Sequence, residues 1–236
     1  MSDPKPAATP KARRTKKAKP AGDPFVQDRQ AILAAALVNV PFDGWSLKTM
    51  REGAQAAGIA HERMRMLFPN GVSDLVDFFC AQGDARMVEI LAKTDLKAMK
   101  VRERITHCVR VRIEMDGDHK EAARRAAAFL ALPLYASVAV RVLYRTVDAI
   151  WRAAGDQSTD FNFYSKRAIL AGVYSSTLLY WFGDAAEGNA QTWAFLDRRI
   201  KDVMQIEKVK AGVQKFGEML PDPLSLLGRL RYGRGS

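Results

Sequence analysis

The pattern of apolar and polar residues along the chain predicts a succession of α-helices. In the first of them, Ile32, Ala36 and Val40 recur every four residues, and Pro41 with Gly44 is expected to end the helix. No stretch alternates apolar and polar residues between hairpin turns as a β-strand would. The pattern therefore predicts an all-α protein. The predicted helices span residues 25–40, 46–57, 60–68, 73–91, 101–115, 119–132, 134–154, 161–182 and 189–205.

The helix predicted at 161–182 is unusually apolar. No charged residue occurs from Ala168 to Phe182, whereas residues 155–160 before it are polar and rich in side chains that cap helices. We therefore expect a central helix with an accessible first turn and a buried remainder. Its small residues would also suit the wall of an apolar pocket, and the pattern alone leaves core and pocket wall both open.

The first three predicted helices form a helix-turn-helix pattern. The second and third are short, and Gly58 provides the tight turn between them. This order resembles the TetR transcription-regulator fold, in which the helix at 60–68 would read DNA. In that interpretation the side chains that face outward are His61, Glu62, Arg63 and Arg65.

Acidic residues in this unit argue against DNA binding. Glu62 lies near the start of the helix that would read DNA, and Asp74 and Asp77 occupy the first turns of the next helix. Carboxylates there suit the positive end of a helix dipole but repel DNA phosphates. The sequence thus favours a unit that has lost specific nucleic-acid binding, and a TetR-type DNA-binding regulator with an apolar ligand pocket is the alternative.

The formal charge is concentrated near the N-terminus. Residues 1–22 hold seven basic residues against Asp3, which accounts for +6 of the net charge of +11. Because this tail mixes proline, alanine and lysine without apolar periodicity, we expect it to be disordered. No stretch of the sequence reaches the roughly 20 apolar residues of a membrane-spanning helix, so we expect a soluble protein that can still sit on a membrane.

The sequence gives little sign of catalytic or metal chemistry. Cys80 and Cys108 are far apart and predict buried thiols, and the three histidines are scattered without metal-binding spacing. Asp156 and Asp160 come nearest to a carboxylate pair, but beside a helix start they are expected to cap backbone N–H groups. We therefore expect no enzyme, no metal and no cofactor.

Beyond residue 205 the chain changes character. Val209, Val213, Phe216 and Leu220 recur at spacings of four, three and four and form one apolar stripe with lysines beside it. Two glycines weaken this helix, so it is expected to form against a surface. A membrane surface fits, as does the protein's own domain or a dimer partner, and both interpretations remain open.

Four stretches of the sequence resemble a known family. They are LAAALVNVPFDGWS, LFPNGVSDLVDFF, AIWRAAGDQSTDFNFYSKRAILAGVYSSTLLYWFGD and TWAFLDRRIKDVM. They cover about residues 25–205 and resemble the ubiquinone (coenzyme Q) biosynthesis accessory protein, the ninth named in that pathway. The string GDQSTDFNFYSKR is the most specific part. The resemblance implies a TetR-like helical bundle that has lost DNA recognition and forms homodimers.

The resemblance also implies a non-catalytic, lipid-binding function. Such proteins present isoprenoid ubiquinone precursors to a partner hydroxylase, a di-iron enzyme that modifies the quinone ring. They end in an amphipathic helix that docks on membrane, which suits residues 209–220. By this resemblance Val173, Tyr174 and Leu178 would wall the lipid pocket.

The resemblance assigns the surface that contacts the hydroxylase to Asp148, Phe163, Tyr164 and Arg167. Three of these keep the family's residue. Phe163 stands where tryptophan is usual, so the ring is retained but the indole N–H is lost. Ile150 stands where a methionine is known.

These inferences predict four parts and a location at a membrane surface. We expect the protein in a bacterial cytoplasm at the inner membrane, or on the matrix side if it is mitochondrial. The parts are a disordered basic tail (1–23), a helix-turn-helix-like unit (24–92), a helical lipid-binding and dimerisation region (93–205) and an amphipathic segment (206–236).

Overall fold

The computed structural model describes residues 23–156 and 161–219, with the backbone alone for residues 161–163, 204 and 206–219. Within these residues the chain consists of helices and short 3-10 turns without a strand, which confirms the predicted all-α class. The α-helices are α1 (Pro24–Asp43), α2 (Leu47–Ala56), α3 (His61–Leu67), α4 (Val72–Leu91), α5 (Val101–Glu114), α6 (Lys120–Leu130), α7 (Ala136–Ala153), α8 (Phe161–Gly183) and α9 (Ala190–Met219).

Local signals in the sequence determine where the first helices begin and end. The Ser46 hydroxyl accepts a hydrogen bond from the Thr49 N–H at 3.1 Å and caps α2, as predicted. Gly58, at φ +69°, makes the turn from α2 to α3 in a conformation that favours glycine. Pro41 lies in the last turn of α1, which continues to Asp43, so the loss of one backbone N–H donor there does not end the helix as predicted.

The helices pack around one continuous hydrophobic core. α1 packs on α2 and α6, α4 packs on α5 and α7, and α8 lies between α7 and α9. The Trp45 indole donates a hydrogen bond to the Ala122 carbonyl at 3.0 Å, and its ring lies 5.3 Å from the Phe79 ring. The N-terminal unit therefore shares its core with the helices that follow.

One helix crosses the predicted boundary at residue 205. α9 runs from Ala190 to Met219, and its Leu196 and Ile200 are buried in the core. The helix predicted at 189–205 and the amphipathic stretch after it are thus one helix as far as Met219. Because α9 is already anchored by its first half, its continuation needs no new helix nucleus.

α8 has a buried face and an exposed face. Leu179 is 65% exposed, so the prediction that this helix is buried beyond its first turn is wrong for that side. An uncharged sequence does not by itself indicate burial, since apolar atoms make up much of any protein surface. The buried residues of α8 include Leu170, Val173, Tyr174, Thr177 and Trp181.

A charged cluster is buried where α4, α5 and α7 meet. Arg112 is only 2% exposed, and its guanidinium donates to Asp84 and to Asp116 at 2.7 Å each. The Arg145 guanidinium donates to the second oxygen of Asp84 at 3.0 Å, and the Thr146 hydroxyl donates to the first at 2.8 Å. Because an unpaired buried charge is strongly destabilising, each of these groups depends on the others.

Gly83 makes room for this cluster. A Cβ atom added to Gly83 would lie 2.9 Å from Cζ and both Nη atoms of Arg112, closer than such atoms can approach. Glycine in a helix interior costs about 1 kcal/mol relative to alanine. The Arg112 guanidinium lies directly against the α4 backbone at Gly83. A residue with a side chain would collide with it, which explains the glycine at this position.

We expect Gly83→Ala to lower the free energy of unfolding by about 2 kcal/mol, because overpacking against the paired guanidinium outweighs the gain in helix propensity. The matched control is Gly172→Ala in α8, where nothing lies within 4 Å of an added Cβ. The control should be neutral or stabilising by up to about 1 kcal/mol. Urea unfolding followed by circular dichroism measures both, and equal effects would contradict this account of Gly83.

Candidate functional site

An apolar cavity of about 260 Å³ lies between α4, α6, α7 and α8. Alanines on the inner side of α6 and near the start of α7 leave this space, because their side chains are too short to fill the gap to α8. The lining includes Leu179, whose side chain is exposed, so the cavity reaches the protein surface there. The alanines of the lining are Ala123, Ala126, Ala127, Ala131 and Ala139.

Two of the three predicted lipid-binding residues line this cavity. Tyr174 and Leu178 are four residues apart in α8 and therefore share one face of the helix. Val173 is turned by about 100° from Tyr174 and lines a second apolar cavity of about 210 Å³ with Trp151 and Ile200. The structure thus separates Val173 from the other two, and a role of the three in lipid binding stays a prediction.

Polar side chains of the charged cluster also reach the larger cavity. Arg112, Asp116 and Thr146 contribute to its lining beside Tyr174. Sequence analysis missed these three residues. The spacing of Arg112 and Asp116 by four is a signal for a pair on one helix face, but no local pattern identifies Asp84, far earlier in the chain, as their common partner.

Cys80 and Cys108 are free and buried, as predicted. Burial raises the pKa of the Cys80 thiol to about 12 and that of the Cys108 thiol to about 11. Both thiols are therefore protonated near neutral pH and are poor nucleophiles. In the part of the chain that the structure describes, no three His, Cys, Asp or Glu side chains come together as a metal site would require.

Arg167 and Asp148, predicted to contact a partner, bind each other inside the protein. Arg167 is 4% exposed, and its guanidinium lies 2.8 Å from an Asp148 oxygen and 3.3 Å from an Asp156 oxygen. Asp148 also pairs with Arg152 at 2.7 Å. The expectation that Arg167 faces outward is wrong, because one carboxylate on α7 and one just after it hold the guanidinium against α7.

The first turns of α8 are accessible at Tyr164, which is 67% exposed. The Lys166 ammonium pairs with Asp156 at 2.9 Å, so Asp156 makes ion pairs that the prediction of a helix cap did not include. The side chain of Phe163 and the whole of Asp160 lie outside the described residues. The assignment of this surface to a partner protein stays a prediction.

Arg63, predicted to face outward on the helix that would read DNA, folds back onto α1. Its guanidinium lies 2.8 Å from an Asp28 oxygen and 4.2 Å from the centre of the Phe25 ring. These contacts remove one of the two arginines that α3 could offer to DNA. The predicted outward residues that are exposed are His61, Glu62 and Arg65.

Asp77 does not present a free carboxylate to solvent. It pairs with Arg141 at 2.9 Å and with Arg145, both on α7. Burial opposes ionisation of Asp77, but the two arginines outweigh burial and lower its pKa. The predicted repulsion of DNA by Asp77 is therefore wrong, since its charge is neutralised within the protein. Asp74 accepts a hydrogen bond from the Asn70 N–H at 2.8 Å, at the start of α4.

The predicted membrane-binding stripe falls on residues whose side chains are not described. Val209, Val213 and Phe216 belong to α9, which is helical there, whereas Leu220 and residues 1–22 lie outside the described residues. No single helix of the described part is long and apolar enough to cross a membrane. The helices at Gly117–Leu130 and Pro133–Ala153 meet the length and composition criteria only together, as a pair bent by 91°.

The fold belongs to a known class of helical proteins. It superposes on the TetR transcriptional regulator from Nitrosomonas europaea with a TM-score of 0.60, over 73% of this chain and 95% of that chain, at 20% sequence identity. A likeness at this identity concerns the fold alone. The class is therefore a TetR-like all-α protein, here with an apolar cavity among its helices.

Residues 136–207 match the COQ9 family. The chain is 35% identical over 201 residues to "Ubiquinone biosynthesis protein COQ9, mitochondrial" of Rattus norvegicus, over 82% of this chain and 64% of that protein. It is 34% identical over 199 residues to the COQ9-B protein of Xenopus laevis, over 81% and 68%. The chain belongs to the COQ9 family of ubiquinone biosynthesis proteins, as its motifs predicted. It spans slightly less than two thirds of the rat relative's length.

We expect Arg167→Ala to lower the free energy of unfolding by about 2 kcal/mol, because two largely buried carboxylates each lose one of their two cationic partners. Tyr164→Ala, three residues earlier in α8, should change it by less than about 1 kcal/mol, since that side chain is mostly exposed. Urea unfolding measures both variants. An Arg167→Ala protein as stable as wild type would show that Arg167 has no structural role, and would return it to the set of contact residues.

Proposed function

We propose that this chain is a non-catalytic accessory protein of ubiquinone biosynthesis that binds an isoprenoid quinone intermediate and presents it to a partner hydroxylase at a membrane. Membership of the COQ9 family supports the pathway. The observation that carries lipid binding is the 260 Å³ apolar cavity lined by Tyr174 and Leu178. An apolar cavity among helices is the usual form of a site for a hydrophobic small molecule.

The size of the cavity favours a lipid that is held only in part and presented to a partner over a lipid that is fully enclosed. Pockets that enclose drug-sized ligands measure roughly 300–1,000 Å³, and this cavity has about 260 Å³. It can therefore take only part of a long isoprenoid, and the remainder would lie outside. Leu179 at the mouth, 65% exposed, supplies apolar surface for that remainder.

A non-catalytic role agrees with the chemistry of the cavity lining. The thiol of Cys80 is protonated because burial raises its pKa to about 12. The Arg112 guanidinium is engaged by two carboxylates rather than directed at a reacting group. None of these groups is prepared to act as a nucleophile.

For the partner, we propose the di-iron hydroxylase implied by the family resemblance, with contact centred on Tyr164. Tyr164 is 67% exposed, and Arg167 with Asp148 holds the first turns of α8 against α7 beneath it. In this proposal Tyr164 and Phe163 make the contact, whereas Asp148 and Arg167 position them.

We further propose that the protein is a homodimer without specific affinity for nucleic acid and that it docks on a membrane through the stripe at 209–220. The contacts of Arg63 with Asp28 and Phe25 support the loss of DNA reading. The mitochondrial relatives favour the matrix side of the inner membrane, and the cytoplasmic side applies in a bacterium.

We expect polyprenyl lipid to co-purify with the wild-type protein, and Ala127→Phe to abolish it, because a phenyl ring on α6 would fill the cavity. The matched control is Ala128→Phe on the neighbouring residue, which is exposed and outside the lining, and it should retain the lipid. Native mass spectrometry measures bound lipid in all three proteins. A wild-type protein free of lipid that also ignores liposomes would refute the proposed function.

We expect Phe216→Asp to weaken liposome binding at least about tenfold with little change in melting temperature, because it places a charge in the apolar stripe. Gln214→Asp introduces the same charge on the opposite side of an ideal helix and serves as the control. Liposome flotation measures binding. A large fall in the melting temperature of Phe216→Asp would instead mean that the stripe packs on the protein itself.

A further inference from the structure

The corner where α6 gives way to α7 presents apolar side chains to solvent. Leu134 is 81% exposed, and Leu132 and Val140 are also largely exposed. No charged residue occurs from Ala126 to Val140. Single exposed apolar side chains are ordinary on a protein surface, but several at one projection indicate a contact surface.

The corner is a braced projection. The Phe129 ring at the end of α6 stacks on the Tyr135 ring just before α7, with 4.1 Å between the ring centres. The two helices meet there with a bend of 91°. Leu132 and Leu134 lie between the stacked residues, so their exposed side chains extend from a backbone that is held in place.

Most N–H groups of the corner are bonded within the protein. Those of Ala131, Leu132 and Tyr135 donate to backbone carbonyls, and Pro133 has no N–H. In residues 131–135, Leu134 alone has an N–H without such a bond. Because an unpaired N–H is costly in hydrocarbon, this backbone suits the hydrated interfacial layer of a bilayer better than its centre.

Arginines flank the uncharged run at the depth of lipid head groups. Arg124 lies eight residues before Leu132, and Arg141 lies seven residues after Leu134. With the helices bent by 91°, each axis inclines about 45° to the line that bisects the corner, which places both arginines about 7–9 Å behind its tip. Interfacial elements bury their apolar side to about 5–10 Å. Both arginine side chains are more than half exposed.

The charge around the corner suits an anionic lipid surface. From Lys120 to Arg145 the chain holds five basic residues against Glu121 alone. Ion pairs with Asp77 and Asp84 of α4 offset part of this charge. The remainder is positive, and a basic surface beside an apolar projection is attracted to anionic head groups.

The corner is a poor match for a protein partner. A stable protein interface buries roughly 800 Å² on each side, and three apolar side chains at a convex corner supply only part of that area. Protein interfaces also carry about one hydrogen bond per 100–200 Å². Residues 126–140 offer only Tyr135 and Ser137 as polar side chains. A fluid bilayer needs neither a matching concave surface nor hydrogen-bonding side chains.

We propose that the corner between α6 and α7 inserts into the interfacial layer of an anionic bilayer, as a second membrane contact separate from the stripe at 209–220. Leu132 and Leu134 enter the outer hydrocarbon. Arg124 and Arg141 stay among the head groups, where their long side chains reach lipid phosphates.

Insertion of the corner would orient the folded core on the membrane. Ala131, which is exposed and precedes Leu132, lines the 260 Å³ cavity, as does the exposed Leu179. The open side of the cavity would therefore face the bilayer. The proposal rests on the proposed membrane docking and adds which surface of the folded core meets the lipid.

Leu134→Asp tests the contact. Flotation of the full chain with phosphatidylcholine vesicles that contain phosphatidylglycerol should show binding weakened about tenfold, because a carboxylate cannot replace leucine in hydrocarbon. The melting temperature should change little, since the side chain is exposed. Met66→Asp, at another largely exposed apolar residue, on α3, is the matched control and should bind vesicles like wild type.

A fluorophore at the tip measures insertion directly. Leu134→Cys can be labelled selectively with a nitrobenzoxadiazole dye, because Cys80 and Cys108 are buried. When the same vesicles are added, the emission should shift to the blue, and lipids with brominated chains should quench it. Glu62→Cys, exposed on α3 and labelled in the same way, should show neither effect.

The outcomes separate the two membrane contacts. Wild-type binding by Leu134→Asp, or an unchanged spectrum at position 134 in vesicle-bound protein, would overturn insertion of the corner and leave docking through the stripe at 209–220 intact. A changed oligomeric state of Leu134→Asp in light scattering would assign the corner to a second copy of the chain instead. Wild-type protein that binds no vesicles would overturn both membrane contacts.

Discussion

The pairing of Arg112 inside the protein constrains the arrangement of the helices around it. A guanidinium removed from water loses several kcal/mol of hydration, and only partners at hydrogen-bond distance offset that loss. Asp84 on α4 and Asp116 after α5 supply them, and Arg145 on α7 balances Asp84 in turn. Replacing such a cluster by apolar side chains can be neutral for stability, but a half-paired cluster is strongly unfavourable. The three helices are therefore held in one mutual position.

The charged cluster also borders the cavity. α6 and α8 line the cavity from two sides, and the alanines of α6 are too short to fill the space between them. Arg112, Asp116 and Thr146 of the charged cluster contribute to the lining, and the cavity reaches the surface at the exposed Leu179.

Features set by neighbouring residues were predictable from the sequence. The Ser46 cap, the Gly58 turn and the all-α class depend on local spacing, and they are present. Features set by distant partners were not. Arg63, Arg167 and Asp77 each read as exposed charges, because nothing nearby in sequence shows that Asp28, Asp148 and Arg145 meet them in the fold. The resemblance grouped Val173 with Tyr174 and Leu178, whereas in the structure Val173 lines a different cavity from the other two.

α8 connects the proposed docking surface with the proposed lipid site. Arg167 and Tyr174 are seven residues apart and Tyr174 and Leu178 four, so all three lie along one face of the helix. Their separation along the axis, from Arg167 to Leu178, is about 16 Å at 1.5 Å per residue. Arg167 is held by Asp148 and Asp156 at one end, and Tyr174 lines the cavity at the other. A partner that contacts Tyr164 would therefore touch an element whose inner face is also the cavity wall. In the proposed function, α8 therefore borders both the partner surface and the lipid cavity.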